Sequence, residues 1–407
     1  MIYNRPEYWL AKTETVGPCL TFSSPSSFTL AVQGATKNWN GTLEYFASDK
    51  TWTTWDGTTT LSSVNNDGEY VLYLRGIGNT AITGFMALIG RGGNWVLTGT
   101  DIKCIGNIEN LLDYETVESG AHPTMTDYCY VFMFKGCAGL TQAPTLPATT
   151  LAVACYQGMF QDCTGLTQAP ALPAPTLTDN CYVSMFQGCT SLTQAPILPA
   201  TTLINSCYQY MFKGCTSLTQ TPALPVTTLA EDCYQGMFQD CTGLTQAPAL
   251  PATTLASFCY RYMFYGCTSL TQAPALSATT LADRCYESMF MNCTALTKAP
   301  ALPATTLAKS CYGSMFNGCT SLTQIPALPA TTLTDNCYVN MFQDCINIKL
   351  SSTQTGEYTQ EYRIPSSGTG TTATDPFNAM FISTGGTFTG NPEINTTYYL
   401  SNTNTIV

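Results

Sequence analysis

The motif Cys-Tyr-x-x-Met-Phe-x-x-Cys occurs nine times at an interval of 26 residues that never slips, beginning at Cys129, Cys155, Cys181, Cys207, Cys233, Cys259, Cys285, Cys311 and Cys337. A fixed period of this length describes one supersecondary unit per repeat, which cannot bury its apolar side alone and is stabilised by stacking on its neighbours. The expected architecture is a nine-layer solenoid over residues 129–350. Translational repetition places like groups in rows, whereas a catalytic site needs unlike groups converging on one point. The chain is therefore read as a non-enzyme. No His paired with a Ser or Cys nucleophile, phosphate-binding Gly motif or metal-ligand spacing speaks against that reading, and no cofactor is expected.

Hydrophobic residues make up 44% of the 407 positions and aromatic residues 11%, ample material for a core. Only 10% are Asp, Glu, Lys or Arg, against about 25% in an ordinary soluble domain, so the surface must be polar and neutral, made of Thr, Gln, Ser and Asn. A net charge of -11 without a Lys/Arg cluster repels phosphates and argues against nucleic-acid binding. No segment approaches the ~18 apolar residues of a membrane span, so no membrane insertion is expected. The opening MIYNRPEYWLAKTETVGP has no apolar run of signal-peptide length, which leads to the expectation of synthesis in a cytoplasm without general secretory export.

Eighteen of the 20 cysteines lie in the repeat, in two columns, with Cys19 and Cys104 outside. On a helix the two cysteines of one motif are ~12 Å apart at about 1.5 Å per residue, too far for a bridge that needs Cα atoms roughly 4.4 to 6.8 Å apart. Buried free thiols acting as small hydrophobes are the leading expectation. Disulfides between stacked layers and a metal site remain as alternatives, the latter with only His122 and no close Cys-x-x-Cys behind it.

Within one repeat, Cys155, Tyr156, Met159, Phe160 and Cys163 fall at i, i+1, i+4, i+5 and i+8, which on a helix is one arc of about 140°. Variable residues lie between them, such as Gln157-Gly158, Val183-Ser184, Arg261-Tyr262 and Glu287-Ser288. The pattern predicts a short amphipathic helix, or a 3₁₀ turn, with Cys155, Tyr156, Met159, Phe160, Cys163 and Leu166 forming core columns. Thr228-Leu229-Ala230-Glu231 has the form of a capping box, and Asp179, Asp283 and Asp335 take the acid's place in every second repeat. That alternation reads as relief of repulsion between stacked carboxylates, with duplication of a two-repeat unit as the competing origin. The other half of the repeat, Leu244 to Pro251 in its commonest form, predicts a strand of about three or four residues limited by proline. Leu166, Leu172 and Leu177 should point inward.

The segment Phe160-Gln161-Asp162-Cys163-Thr164-Gly165-Leu166, followed by Pro170-Ala171-Leu172-Pro173 and the next Met-Phe-x-x-Cys, resembles the BspA-like leucine-rich repeat over residues 125–350. The resemblance implies an α/β solenoid, curved and right-handed, with one short strand and one short helix per layer. It also implies a role in attachment or protein recognition, as in bacterial surface proteins and related proteins of gut bacteriophages.

All five tryptophans precede residue 100, and short β-like runs such as Glu69-Tyr70-Val71-Leu72-Tyr73-Leu74 alternate there with turns such as Asn66-Asp67-Gly68. The chain divides into an N-terminal arm (1–17), a β-rich, sandwich-like domain (18–100), a cap or linker (101–128) holding His122, the solenoid (129–350), and a degenerate repeat with C-terminal cap (351–407) that includes Asn378-Ala379-Met380-Phe381. Trp52 and Trp55 are read mainly as packing residues, with a sugar-stacking platform as the rival.

The function expected from these features is adhesion or recognition by a repetitive surface. The foremost version is a virion-attached host-binding or decoration protein of a phage, made in the cytoplasm. A BspA-type bacterial surface adhesin whose export signal lies outside this sequence, and an architectural spacer without a specific ligand, are the alternatives. Expected partners are a host cell-surface protein or glycan, with other virion proteins meeting the N-terminal domain. The residues expected to face a ligand are the polar strand strip Thr167, Gln168, Thr193, Gln194, Thr219, Gln220, Thr245 and Gln246, with the variable face of the repeat as its rival.

Overall fold

Hydrogen bonds between repeats, rather than within them, set the backbone of every layer. The computed structural model describes residues 17–46, 51–84, 93–364 and 373–407; the N-terminal arm, Gly17 apart, lies outside them. In the layer that begins at Cys155, the N–H groups of Gln157, Met159, Gln161 and Cys163 donate to carbonyls three residues back at 3.0–3.2 Å. The intervening N–H groups of Tyr156, Gly158, Phe160 and Asp162 donate to Cys181, Val183, Met185 and Gln187 of the next layer at 2.7–3.1 Å. The expected short helix is therefore not formed. An α-helix sends its interior N–H groups to its own chain, whereas here every fourth residue is left-handed, as at Ala154 (φ 53°), Gly158 (58°) and Asp162 (60°). The resulting run of separate turns frees alternate N–H groups to point along the stack. One short helix per layer is replaced by a run of overlapping turns.

The left-handed geometry costs about 1–2 kcal/mol at a non-glycine residue, and the interlayer bonds offset it at about 1 kcal/mol each. Composition reduces the cost further. The third left-handed position is Gly136, Asp162, Gly188, Gly214, Asp240, Gly266, Asn292, Gly318 and Asp344 through the nine layers, with φ of 59–78°, the residue types that enter this region most readily.

With no helix to cap, Asp283 and Asp335 among the alternating acids, and Asp127 at the same place ahead of the first layer, have another partner. The carboxylates of Asp127, Asp283 and Asp335 accept the backbone N–H of Val153, Lys309 and Thr374 at 2.8–3.1 Å. An acid in one layer thus serves the next layer, which itself carries a non-acid at that place.

The core is built of columns. Cys155, Tyr156, Met159, Phe160, Cys163 and Leu166 are each at most 1% exposed, and Leu172 and Leu177 are buried with them. Tyrosine rings stack from Tyr130 to Tyr338 and phenylalanine rings from Phe134 to Phe342, with centroids 5.6–6.0 Å apart and planes within 11° of parallel, the displaced arrangement that aromatic quadrupoles favour. All twenty cysteines are free thiols. In the second column, Cys163, Cys189, Cys215 and their successors lie 3.0–3.1 Å from the phenylalanine carbonyl of the preceding layer, toward which each thiol donates.

Strands within the repeats are shorter than expected. Apart from β10 (Leu140–Gln142) and β11 (Gln324–Ile325), pairing reduces to single parallel bridges such as Gln194↔Gln220, Gln246↔Gln272 and Lys298↔Gln324. A proline two residues after each Gln or Lys limits the ladder, because it has no N–H to give. A second ladder, absent from the sequence reading, joins the Thr-Thr pairs through Thr228↔Thr254, Thr280↔Thr306 and Thr306↔Thr332.

Ahead of the repeats, β1 (Leu20–Ser24), β3 (Thr42–Phe46), β4 (Thr53–Thr54), β6 (Val64–Asn66), β7 (Glu69–Ile77) and β9 (Ile102–Ile105) form one sheet. It runs in the order β10-β9-β1-β7-β3-β4, with β6 also on β7. A second sheet has the order β5-β2-β8, from Leu61–Ser62, Thr29–Val32 and Trp95–Thr98. The β6–β7 hairpin turns at Asp67 (φ 54°) and Gly68 (φ 92°), the two positive-φ positions of a type I′ turn. β9 pairs in parallel with β10, and Phe22 and Trp95 pack on Phe134 with centroids 6.2 and 5.9 Å away. The first sheet thereby continues into the repeats, and residues of both sheets cover their open end. Helix α1 (Asn110–Glu118) follows, burying Leu111 and Leu112.

At the far end Phe377 stacks on Tyr338 and Phe381 on Phe342, continuing both ring columns. The chain then closes on itself. β14 (Thr397–Ser401) lies between β12 (Leu350–Ser351) and β13 (Tyr358–Arg363), and β15 (Thr405–Ile406) pairs in parallel with β11.

Candidate functional site

The strip residues Thr167, Gln168, Thr193, Gln194, Thr219, Gln220, Thr245 and Gln246 are all exposed. Each Thr-Gln pair follows a buried leucine, Leu166, Leu192, Leu218 or Leu244, which anchors the backbone and leaves the pair facing water. The bridges at Gln194↔Gln220 and Gln246↔Gln272 bring successive amide side chains to one register. The column continues through Gln272, Lys298 and Gln324, so its one cation, Lys298, stands toward the C-terminal end. What such a column presents is a row of amide and hydroxyl donors and acceptors at layer spacing.

Two features beside this row went unread in the sequence. An open groove of about 680 Å³ runs along Ala273, Pro274, Ala299 and Pro300, with Thr405, Ile406 and Val407 as its far wall. That wall is set by Asn404, which is 2% exposed and donates to the carbonyls of Thr323 and Asn347 while accepting the N–H of Lys349, at 2.9–3.1 Å. The second is the Thr-Thr ladder, whose side chains at Thr201, Thr202, Thr227 and Thr228 line a separate groove of about 280 Å³.

The residues weighed for chemistry are dispersed. The His122 ring lies 2.8 Å from the carboxylate of Glu109, which is 2% exposed. The two tryptophans do not share a platform. Trp55 is buried against Trp39 and Trp95 and donates to Thr59, while Trp52 is half-buried beneath the Arg75 guanidinium at 4.1 Å. Burial pushes the repeat thiols up, Cys137, Cys181 and Cys233 to about 12 and Cys337 to about 11, so at neutral pH they are protonated and poor nucleophiles. Among the described residues, no three His, Cys, Asp or Glu side chains converge as a metal site and no helix is long and apolar enough to cross a membrane.

The layered geometry agrees with the comparison to known families, in which the BspA type leucine rich repeat region matches in six copies over residues 119–245 and 232–362. The chain belongs to the BspA-type leucine-rich-repeat family. Comparison with curated proteins and with solved structures gives no match. In this BspA-type protein the repeat's shared residues are spent on the core columns, and its individuality lies between them, at positions that the stacked layers leave half-buried or buried. There the second and third variable positions range from Gln157-Gly158 to Arg261-Tyr262 and Glu287-Ser288.

Proposed function

We propose that the protein is a non-enzymatic recognition protein whose repeats form a solenoid carrying ligand on its Thr-Gln strip, exposed on a virion or on a bacterial cell. The observation that carries this reading is the exposure of Thr167, Gln168, Thr193, Gln194, Thr219, Gln220, Thr245 and Gln246 in one file over four successive layers. Identical weak contacts at a fixed spacing act together, and avidity can exceed the single-site affinity by 10²–10⁴. The family's association with attachment supports the assignment, and the core columns account for the repeated Cys, Tyr, Met and Phe without recourse to chemistry.

The test is binding of purified protein to intact bacterial and epithelial cells, comparing the parent with the triple substitution Gln168→Glu, Gln194→Glu and Gln220→Glu. Three carboxylates in one column should reduce cell binding at least tenfold; equal binding by the variant would remove the strip from the proposal. Placement is decided separately by mass spectrometry across a density gradient of a producing culture. Co-migration with particles supports the phage version and envelope association the adhesin, while recovery only in the soluble fraction refutes both and leaves the spacer.

A further inference from the structure

The sixth layer breaks the pattern of the outward turn positions. It carries Phe258, Arg261, Tyr262 and Tyr265 where other layers carry mostly Ser, Asn, Gln, Gly or Val. Phe258 and Tyr262 hold φ of 60° and 57°, a conformation in which bulky side chains are outliers. Ser206 and Ser310 fill the position of Phe258, and Ser184, Ser288 and Ser314 that of Tyr262, with the same backbone. The fold thus does not require a ring at either place. Strained positions that the fold does not demand cluster where proteins bind or act.

The side chains are also organised as a unit. The Arg261 guanidinium lies 4.5 Å from the Tyr262 ring and 5.5 Å from that of Phe258, donates to the Tyr262 hydroxyl at 2.8 Å, and pairs with Glu287 at 2.7 Å. Tyr265 meets Tyr262 edge to face. Two layers away, the Tyr210 ring lies over Gly236, whose missing Cβ would stand 2.3 Å from it, and this gap lets the aromatic surface run from Tyr210 to Tyr262. Two steps of 6.0 Å in the neighbouring tyrosine column put that run at about 12 Å.

We propose that this cluster is a discrete glycan-binding site, taking a short uncharged oligosaccharide. The half-exposed rings of Phe258, Tyr262 and Tyr265, held in place by Arg261 and Arg284, suit the C–H side of a pyranose, and the polar atoms of Arg261 and Glu287 that do not face each other suit its hydroxyls. Charge favours this ligand over an ionic one, since Arg261 and Arg284 are balanced by Glu287 and the half-buried Asp232. Size favours it over a protein, because a stable protein partner covers about 800 Å² on each side, and the cluster gives way to Ser310, Gly313, Ser314 and Asn317 in the eighth layer. The site stands on the turn face and does not depend on the Thr-Gln strip.

The experiment uses the full chain on a printed array of mammalian mucin oligosaccharides and bacterial capsular and lipopolysaccharide oligosaccharides, with the hit measured by calorimetry. The variant Phe258→Ser, Arg261→Gln and Tyr262→Ser installs residues that other layers already carry at these positions, and near-UV circular dichroism of the stacked tyrosines reports its folding. The expected result is a hit whose affinity falls at least tenfold in this variant and is unchanged by the three Gln→Glu substitutions of the strip. No glycan bound by the parent, or equal affinity in the folded variant, overturns the proposal. Loss only in the strip variant would move glycan binding to the strip and equally overturn it.

Discussion

Substituting Gly236 by Ala probes the link between backbone handedness and side-chain packing that defines each layer. Two costs are expected. The left-handed φ of 58° costs alanine about 1–2 kcal/mol. The new Cβ would also stand 2.3 Å from two atoms of the Tyr210 ring, forcing that ring off its rotamer and away from the surface it covers, for about 0.5–1.5 kcal/mol more. A natural control is Gly214, with φ of 73° and no atom nearer than 3.7 Å to its would-be Cβ, where alanine meets only the first cost. Urea unfolding followed by near-UV circular dichroism should therefore rank Gly236→Ala about 1 kcal/mol below Gly214→Ala. Adding Tyr210→Ser should abolish the difference, giving a coupling of about 1 kcal/mol in a double-mutant cycle. Equal costs at the two glycines, with no coupling, would show that the ring does not lie over Gly236 and would refute the packing described for this face.

Other expectations follow from the same architecture. Because burial raises the pKa of Cys137, Cys181, Cys233 and Cys337 to about 11–12 against about 8.5 in the unfolded chain, their contribution to stability is complete below pH 8.5. It is lost as pH rises through the folded values, at up to ~1.4 kcal/mol per thiol per pH unit; a thermal-unfolding series should be flat from pH 6 to 8 and fall steeply above about 9. In the native state at pH 8, iodoacetamide should label Cys19 alone to any extent, since the other nineteen are buried, and mass spectrometry after denaturation should find twenty reactive thiols. Asn404→Ala should lose about 2–3 kcal/mol in urea unfolding, because three backbone groups of two neighbouring segments are left without their partner. Replacing Asp283 separates charge from acceptor: Asp283→Asn retains an oxygen for the Lys309 N–H and should be nearly neutral, whereas Asp283→Ala should lose about 1 kcal/mol.

What the sequence disclosed depended on whether its period or its local chemistry was being read. The columns of Cys155, Tyr156, Met159, Phe160 and Cys163 could be assigned to the core because nine aligned copies average out local noise. Helix was the natural reading of i, i+1, i+4, i+5 and i+8, yet that spacing is a period of four, and a true helix drifts away from it at 3.6. The deciding signal was present in the ninefold choice of Gly, Asp or Asn just before the second cysteine, from Gly136 to Asp344, which marks left-handed backbone rather than a solvent face. Asp179, Glu231, Asp283 and Asp335 read as acids at a helix N-terminus, but Asp283 and Asp335 accept from N–H groups 26 and 39 residues away, a distance local capping rules do not address. The candidate strip was legible as exposed Thr and Gln. Its groove was not, since the wall at Thr405 to Val407 is joined to Gln324 and Ile325 across about eighty residues without any repeat to announce it.

The interlayer bonding gives a reason why such a chain can vary its surface so freely. In a helical layer, outward residues must suit a helix, and Gly, Ser and Asn there weaken it. In these turns the backbone N–H groups are tied to the next layer whatever side chain they carry, and the inward Cys-Tyr and Met-Phe pairs supply the burial. These positions are then constrained by handedness, a penalty of about 1–2 kcal/mol at worst, which the stacked rings and buried thiols can absorb, and, where the preceding layer carries a ring, by that ring, as Tyr210 constrains Gly236. One layer can accordingly take Phe258, Arg261, Tyr262 and Tyr265 while the next takes Arg284, Glu287, Ser288 and Met291 on the same scaffold. A surface assembled this way can change without a change to the core, and transplanting the sixth layer's four residues to the third layer, at Asn180, Val183, Ser184 and Gln187, together with Tyr210→Ser in the layer that the new ring would cover, should preserve folding and carry with it any affinity that the cluster confers.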